Sequence, residues 1–117
     1  MSVTGIGGLF FRSRDPESRA AWYRTHLGIE AGGESVWQQE PGPTVVSPFP
    51  ADTEYFPLDC QWMLNLRVTG LDAMIARLER DGIEVEQRPE WNAPGVGRFA
   101  RIQDPEGMPI ELWEPDS

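Results

Sequence analysis

Glu111 and Trp113 stand two places apart in a segment whose alternate positions are held by Ile110 and Leu112. Successive side chains of a strand point to opposite faces, so one face of this segment carries a carboxylate and an indole together. A carboxylate desolvated among Met63, Phe99 and Trp113 has a raised pKa and can work as a general base. Strand alternation adds more residues to the same side: Phe10 and Arg12 from the first strand, Met63, Asn65 and Arg67 from a middle strand, and Phe99 and Arg101 from the strand just before. Asn65 suits a ligand carbonyl. Arg67 or Arg101 either stabilises an enolate oxygen, or pairs with Glu111 and neutralises it, or stays a solvated edge residue. Trp113 and Phe10 serve equally well as ligand stackers and as core or interface residues. An apolar, aromatic surface with a few polar groups is the usual make-up of a small-molecule site.

The elements that must position these residues follow from local signals. Asp104-Pro105-Glu106-Gly107 suits a tight turn, with Asp first, Pro second and Gly fourth, so Phe99 to Pro115 reads as a hairpin. Gly5 to Arg14 begins as an apolar run and reads as a strand. Asp15-Pro16-Glu17 starts a helix that passes Trp22, Tyr23 and Leu27 and stops at Gly28. Strands are expected around Val36-Trp37 and Val45-Val46. The segment 47–57, with three prolines and three aromatics, is expected to be an ordered loop. Trp62 to Val68 alternates as a strand. Leu71, Met74, Ile75 and Leu78 recur at helical spacing up to Gly82. Ile83 to Val85 is a short expected strand. Trp91 to Gly97 is a loop with two glycines, either a lid or an ordinary surface loop. Trp37, with Phe49 or Phe56, would cover the mouth of the site.

The composition narrows the partners. The chain has 117 residues, enough for one domain with one core. Its formal net charge is −9, and all ten basic residues are arginine. A phosphate backbone needs a basic patch, so nucleic acid is excluded as a partner, and so is an anionic membrane surface. Without lysine there is no Schiff-base nucleophile. The start lacks the pattern of a signal peptide, no segment is long and apolar enough to span a bilayer, and Cys60 is the one cysteine. A cytoplasmic protein is expected, with Cys60 a small, partly buried side chain rather than a nucleophile.

The two halves repeat. Arg14-Asp15…Leu27-Gly28-Ile29-Glu30 is matched by Thr69-Gly70…Asp81-Gly82-Ile83-Glu84. Each half reads strand, helix and about three strands. The expected fold is α+β: tandem βαβββ modules, about 5–58 and 60–115, forming a curved mixed sheet around a cleft within a single domain over 1–117.

The pattern Arg14-Asp-Pro-Glu, then Trp22-Tyr and Leu27-Gly, then Gly82-Ile-Glu-Val, and finally Asp104-Pro-Glu-Gly-Met-Pro-Ile-Glu-Leu-Trp-Glu-Pro resembles the vicinal oxygen chelate superfamily. That group includes glyoxalase I, extradiol dioxygenases and the bleomycin and fosfomycin resistance proteins. The resemblance covers nearly the whole chain and is nearest to a bacterial, glyoxalase-like subgroup. It implies a glyoxalase-like fold, a cleft that commonly holds one divalent metal, and a homodimer. By the same resemblance the glutamate ligand of the closing strand is matched by Glu111. The first-strand ligand positions of the two halves fall on Gly8 and Met63, which are poor donors for such a metal. His26, at the end of the first helix, suits the helix dipole instead. Glu111 is thus the single retained ligand position, and no metal or other cofactor is expected, one divalent metal being the alternative.

Three functions follow. The first is a small-molecule-binding protein with a degenerate metal site. The second is a glyoxalase- or lyase-type enzyme acting on a small carbonyl compound, with Glu111 as base or metal ligand. The third is a dimeric scaffold whose cleft is filled by its own side chains, five tryptophans serving the interface.

Overall fold

The computed structural model describes residues 1–116. The chain forms two compact units, Met1–Trp37 and Gln38–Ser117. The module boundary expected between 58 and 60 falls inside the second.

The first unit is built on helix α1 (Pro16–Leu27). The Asp15 side chain accepts a hydrogen bond from the Ser18 amide, Pro16 opens the helix, and Gly28 closes it in the left-handed conformation at φ 69°. Each of these is the chemistry the sequence implies: a capped free amide, a tolerated proline and a residue without a Cβ penalty. Tyr23 is buried, with the Phe11 ring 5.7 Å away. Arg19 is also buried; its guanidinium lies over the Phe11 ring and Nη1 donates to the Arg12 carbonyl. Val45-Val46, which belongs to the second unit, forms no strand, and in the first unit neither Gly5 to Arg14 nor Val36-Trp37 forms one. A strand exists through its ladder partner, and within this unit no segment supplies one. Ile6 and Phe10 stay largely exposed as a result. The tandem βαβββ arrangement is therefore not confirmed: each half has its helix, but no strand precedes Leu64 among the described residues.

The second unit carries β1 (Leu64–Arg67), α2 (Leu71–Arg80), a 3₁₀ turn (Pro89–Trp91), β2 (Gly97–Gln103) and β3 (Pro109–Pro115). The sheet order is β1-β3-β2, with β3 parallel to β1 and antiparallel to β2. The β2–β3 turn is the expected one: the Asp104 carbonyl accepts from Gly107 N, and its side chain accepts from the amides of Glu106 and Met108. Ile83 to Val85 forms no strand, but Glu86 makes an isolated antiparallel bridge to Arg101 on the outer edge of β2. That short contact replaces the expected ladder.

The core lies on one face of this sheet. Ala100, Ile102, Ile110 and Leu112 are buried there, and Leu71, Ile75 and Leu78 of α2 are buried with them. Each fully buried leucine or isoleucine contributes roughly 1.5–3 kcal/mol. The start of α2 is tied to the sheet by polar groups. Gly70 has no side chain to cap the helix, so Oε2 of Glu114 on β3 accepts from the Leu71 amide at 3.1 Å. Arg98 on β2 donates to Oε1 of Glu114 at 2.9 Å and to Asp72 of α2 at 3.0 Å. The guanidinium of Arg98 and the Leu71 amide hold the Glu114 carboxyl below its ordinary pKa. With α2 covering one face, the opposite face of the sheet is left for other work.

Candidate functional site

Register fixes what that opposite face carries. In the parallel ladder Asn65 is paired with Glu111 and Arg67 with Trp113; in the antiparallel ladder Arg101 is paired with Glu111 and Phe99 with Trp113. Six of the residues expected at the site thus share one face, in three rows of two: Asn65 and Arg67, Glu111 and Trp113, Arg101 and Phe99. Met63 precedes β1 by one residue. Phe10, Arg12 and Trp37 belong to the first unit, where all three are exposed.

Glu111 is the centre of a hydrogen-bonded cluster. It is 6% exposed. Its Oε1 accepts from Asn65 Nδ2 at 2.7 Å, and its Oε2 accepts from the Tyr55 hydroxyl. Asn65 is therefore directed at Glu111, not left pointing outward toward a ligand carbonyl. Neither Arg67 nor Arg101 makes an ion pair with Glu111 among the described residues, so the expected structural pair is replaced by these two neutral donors. Burial pushes the Tyr55 hydroxyl up to about 12, and the neighbouring Glu111 carboxylate adds to the shift. Tyr55 is thus a firm proton donor to Glu111 at neutral pH.

Arg101 is held differently. Its guanidinium lies 4.8 Å from the Tyr55 ring centroid and 5.0 Å from that of Trp91, and those two rings meet edge-on at 6.4 Å. The two rings make an open cation–π cage on adjacent sides of the guanidinium. Tyr55 was not among the residues expected at the site. The signal for it lay in the aromatic crowding of the 47–57 loop, where Phe49 meets both Tyr55 and Phe56 at 5.6 and 5.7 Å between centroids. Trp91 comes from the loop expected to be either a lid or an ordinary surface loop, and it stands at the end of the 3₁₀ turn.

Phe99 and Trp113 complete the face as a stacked pair, with centroids 6.3 Å apart and planes 7° from parallel. Trp113 is fixed by a hydrogen bond from Nε1 to the Val96 carbonyl at 2.9 Å. Arg67 is engaged elsewhere: its guanidinium donates to the backbone carbonyls of Glu40 and Pro43. It thereby pins the Pro41-Gly42-Pro43 turn, and with that turn it borders an open cleft of about 650 Å³ that continues past Arg98 to Glu114 and Asp116.

No group of three or more His, Cys, Asp and Glu side chains that could hold a metal occurs among the described residues. Cys60 is half-buried, and burial followed by the Asp59 charge raises its thiol pKa, which favours the protonated form. No described helix is long and apolar enough to cross a membrane.

Two solved structures share this architecture. TnmS3, an antibiotic binding protein from Streptomyces sp. CB03234, is 27% identical, with a TM-score of 0.64 and 99% of each chain covered. A glyoxalase/bleomycin resistance protein from the same source is 29% identical, with a TM-score of 0.51 over 86% of this chain and 91% of the other. Both neighbours have the vicinal oxygen chelate fold, and this chain resembles them over nearly its whole length. No family model matches the sequence, and no curated protein matches it either. The α+β structure, with its three-stranded mixed sheet and two helices, is consistent with a glyoxalase-like fold; the chemistry has to be argued from the chain's own residues.

Proposed function

We propose that this protein binds a small, partly aromatic or anionic molecule on the Glu111–Trp113 face of its sheet, and that it does so without a metal. One observation carries the reading: the stacked Phe99 and Trp113 rings share a face with the Glu111–Tyr55–Asn65 cluster and the caged Arg101. Aromatic area with a few fixed polar groups is the composition of a ligand site. The antibiotic binding named for TnmS3, over the whole length of both chains, supports the same reading.

The donor set does not fit the divalent metal common in the superfamily. By the resemblance the first-strand ligand positions fall on Gly8 and Met63, both poor donors, and both oxygens of Glu111 already accept hydrogen bonds. The same engagement weakens a glyoxalase-type enzyme with Glu111 as base. A bacterial, cytoplasmic homodimer belongs to the proposal, and the exposed Val3, Ile6 and Phe10 of the first unit offer apolar area for a second copy.

The test is a tryptophan-fluorescence titration with aromatic antibiotics, bleomycin among them, in buffer containing a chelator. Saturable quenching is expected, lost in Trp113→Ala while far-ultraviolet circular dichroism is unchanged. Binding that needs added metal, or that persists in both Trp113→Ala and Phe99→Ala, would overturn the proposal.

A further inference from the structure

Two polar atoms of the site have no partner. Nε and Nη2 of Arg101 are buried and make no hydrogen bond among the described residues. Arginine stays protonated in any protein environment, so these are donors of a fixed positive charge. Buried donors are nearly always paired, and an exception calls for a reason.

The surroundings explain why the protein itself does not supply the partner. Arg101 has a carboxylate beside it on each flank. On one side is Glu111, its ladder partner on β3; on the other is Glu86, its bridge partner. Both are engaged elsewhere. Glu111 is occupied by Tyr55 and Asn65, and Glu86 by Arg88, which pairs with it through Nη2 at 2.6 Å and Nε at 2.8 Å. The Tyr55 and Trp91 rings lie 4.8 and 5.0 Å from the guanidinium carbon, and their faces supply no lone-pair acceptor to Nε or Nη2. The two orphaned nitrogens are also a matched pair. Nε and Nη2 form one edge of the guanidinium, with parallel N–H bonds spaced to meet the two oxygens of a single carboxylate.

We infer that the Nε–Nη2 edge of Arg101 is the specificity-determining contact of the site and that it takes a carboxylate carried by the bound molecule. This rests on the reading of the face as a small-molecule site and names the class of ligand it selects: an aromatic carboxylic acid, its ring beside Phe99 and Trp113. Trp91 lies beside that guanidinium, its ring centroid 5.0 Å from Cζ. It stands on a three-residue 3₁₀ turn, ahead of a loop pinned by the Ala93–Gly97 bridge and by Asn92 accepting from the Phe99 amide.

The experiment uses 2-naphthoate and its neutral amide, 2-naphthamide, titrated into the full chain and followed by ¹⁵N–¹H spectra. The Arg101 Nε–Hε signal is assigned through scalar connectivities, so no variant is needed to read it. The acid is expected to bind at least tenfold more tightly than the amide and to move the Arg101 Nε–Hε signal saturably, together with the Trp113 indole signal. Arg101→Met is expected to bring the acid down to the affinity of the amide. Equal affinities, or a Trp113 response to the acid with Arg101 Nε–Hε unmoved, would overturn the inference while leaving the binding face intact. A preference for the acid that survives in Arg101→Met overturns it as well, because the charge is then read elsewhere. If neither probe moves Trp113 or Phe99, the reading of the face fails and the inference goes with it.

Discussion

The hydroxyl of Tyr55 donates to Oε2 of Glu111 across a sequence separation of 56 residues. A proline-rich loop thereby closes over the central strand of the sheet and satisfies a carboxylate that is almost out of water. Removing the hydroxyl leaves a buried acceptor unpaired. Tyr55→Phe should therefore destabilise by about 2 kcal/mol, on the order of 8 °C in melting temperature for a chain of this size. Thermal unfolding followed by circular dichroism checks this. A melting temperature within a degree of the parent would mean that Oε2 finds another donor.

The same contact sets the alkaline limit. The Tyr55 pKa in the folded chain is raised to about 12 from an ordinary 10.0, by burial first and by Glu111 second. A raised folded pKa contributes stability that is fully present below the unfolded value and is lost as pH rises through the folded one. Stability should thus decline between about pH 10 and pH 12, and the decline should be shallower in Tyr55→Phe. Urea midpoints across that range, with phenolate absorbance as a second readout, make the comparison. Equal slopes in the two proteins would remove Tyr55 as the cause.

At the acid end the relevant group is Glu114. Arg98 and the Leu71 amide hold its carboxyl below the ordinary 4.5. A depressed folded pKa contributes stability present above the unfolded value and lost as pH falls through the folded one. Glu114→Gln should cost roughly 1 kcal/mol at neutral pH through the weakened cap on α2, and less below about pH 4.5. Urea unfolding at pH 7 and pH 3.5 measures both. A loss of the same size at the two values would show that the charge of Glu114 is not what matters.

Gly97 is expected to tolerate no side chain. It has φ 138°, and a Cβ there would run into the backbone carbonyl of Glu114 and come within 2.8 Å of Trp113 Nε1. Neither neighbour can yield, since one is main chain and the other is tied to Val96. Gly97→Ala should cost about 3 kcal/mol, read as a large fall in urea midpoint with the Trp113 fluorescence maximum shifted to the red. An unchanged maximum would mean that the hairpin relaxes around the methyl group.

Metal dependence gives the last test. Treatment with a chelator should leave the melting temperature unchanged, and elemental analysis after incubation with divalent ions and desalting should find well below one metal per chain. About one equivalent, lost in Glu111→Ala, would instead bring back the metal-centred reading of the site.

Much of the second unit was legible from local pattern. A period of two assigned Asn65, Arg67, Phe99, Arg101, Glu111 and Trp113 to one face, and the ladders keep them there. Asp15, Gly28 and the Asp104–Gly107 turn act through bonds to residues within a few positions, so their chemistry is contained in the sequence around them. Partnership is another matter, because it depends on what the chain brings up from far away. Gly5 to Arg14 has the composition of a strand but no ladder to join. Arg67 was expected to serve the face, and the carbonyls of Glu40 and Pro43 engage it. Glu111 was expected to be either paired with arginine or desolvated and free. Only the folded chain could bring Tyr55 and Asn65 to its two oxygens, occupy Glu86 with Arg88, and so leave Nε and Nη2 of Arg101 without a hydrogen bond among the described residues. Alternation tells which way a side chain points; tertiary structure decides what meets it.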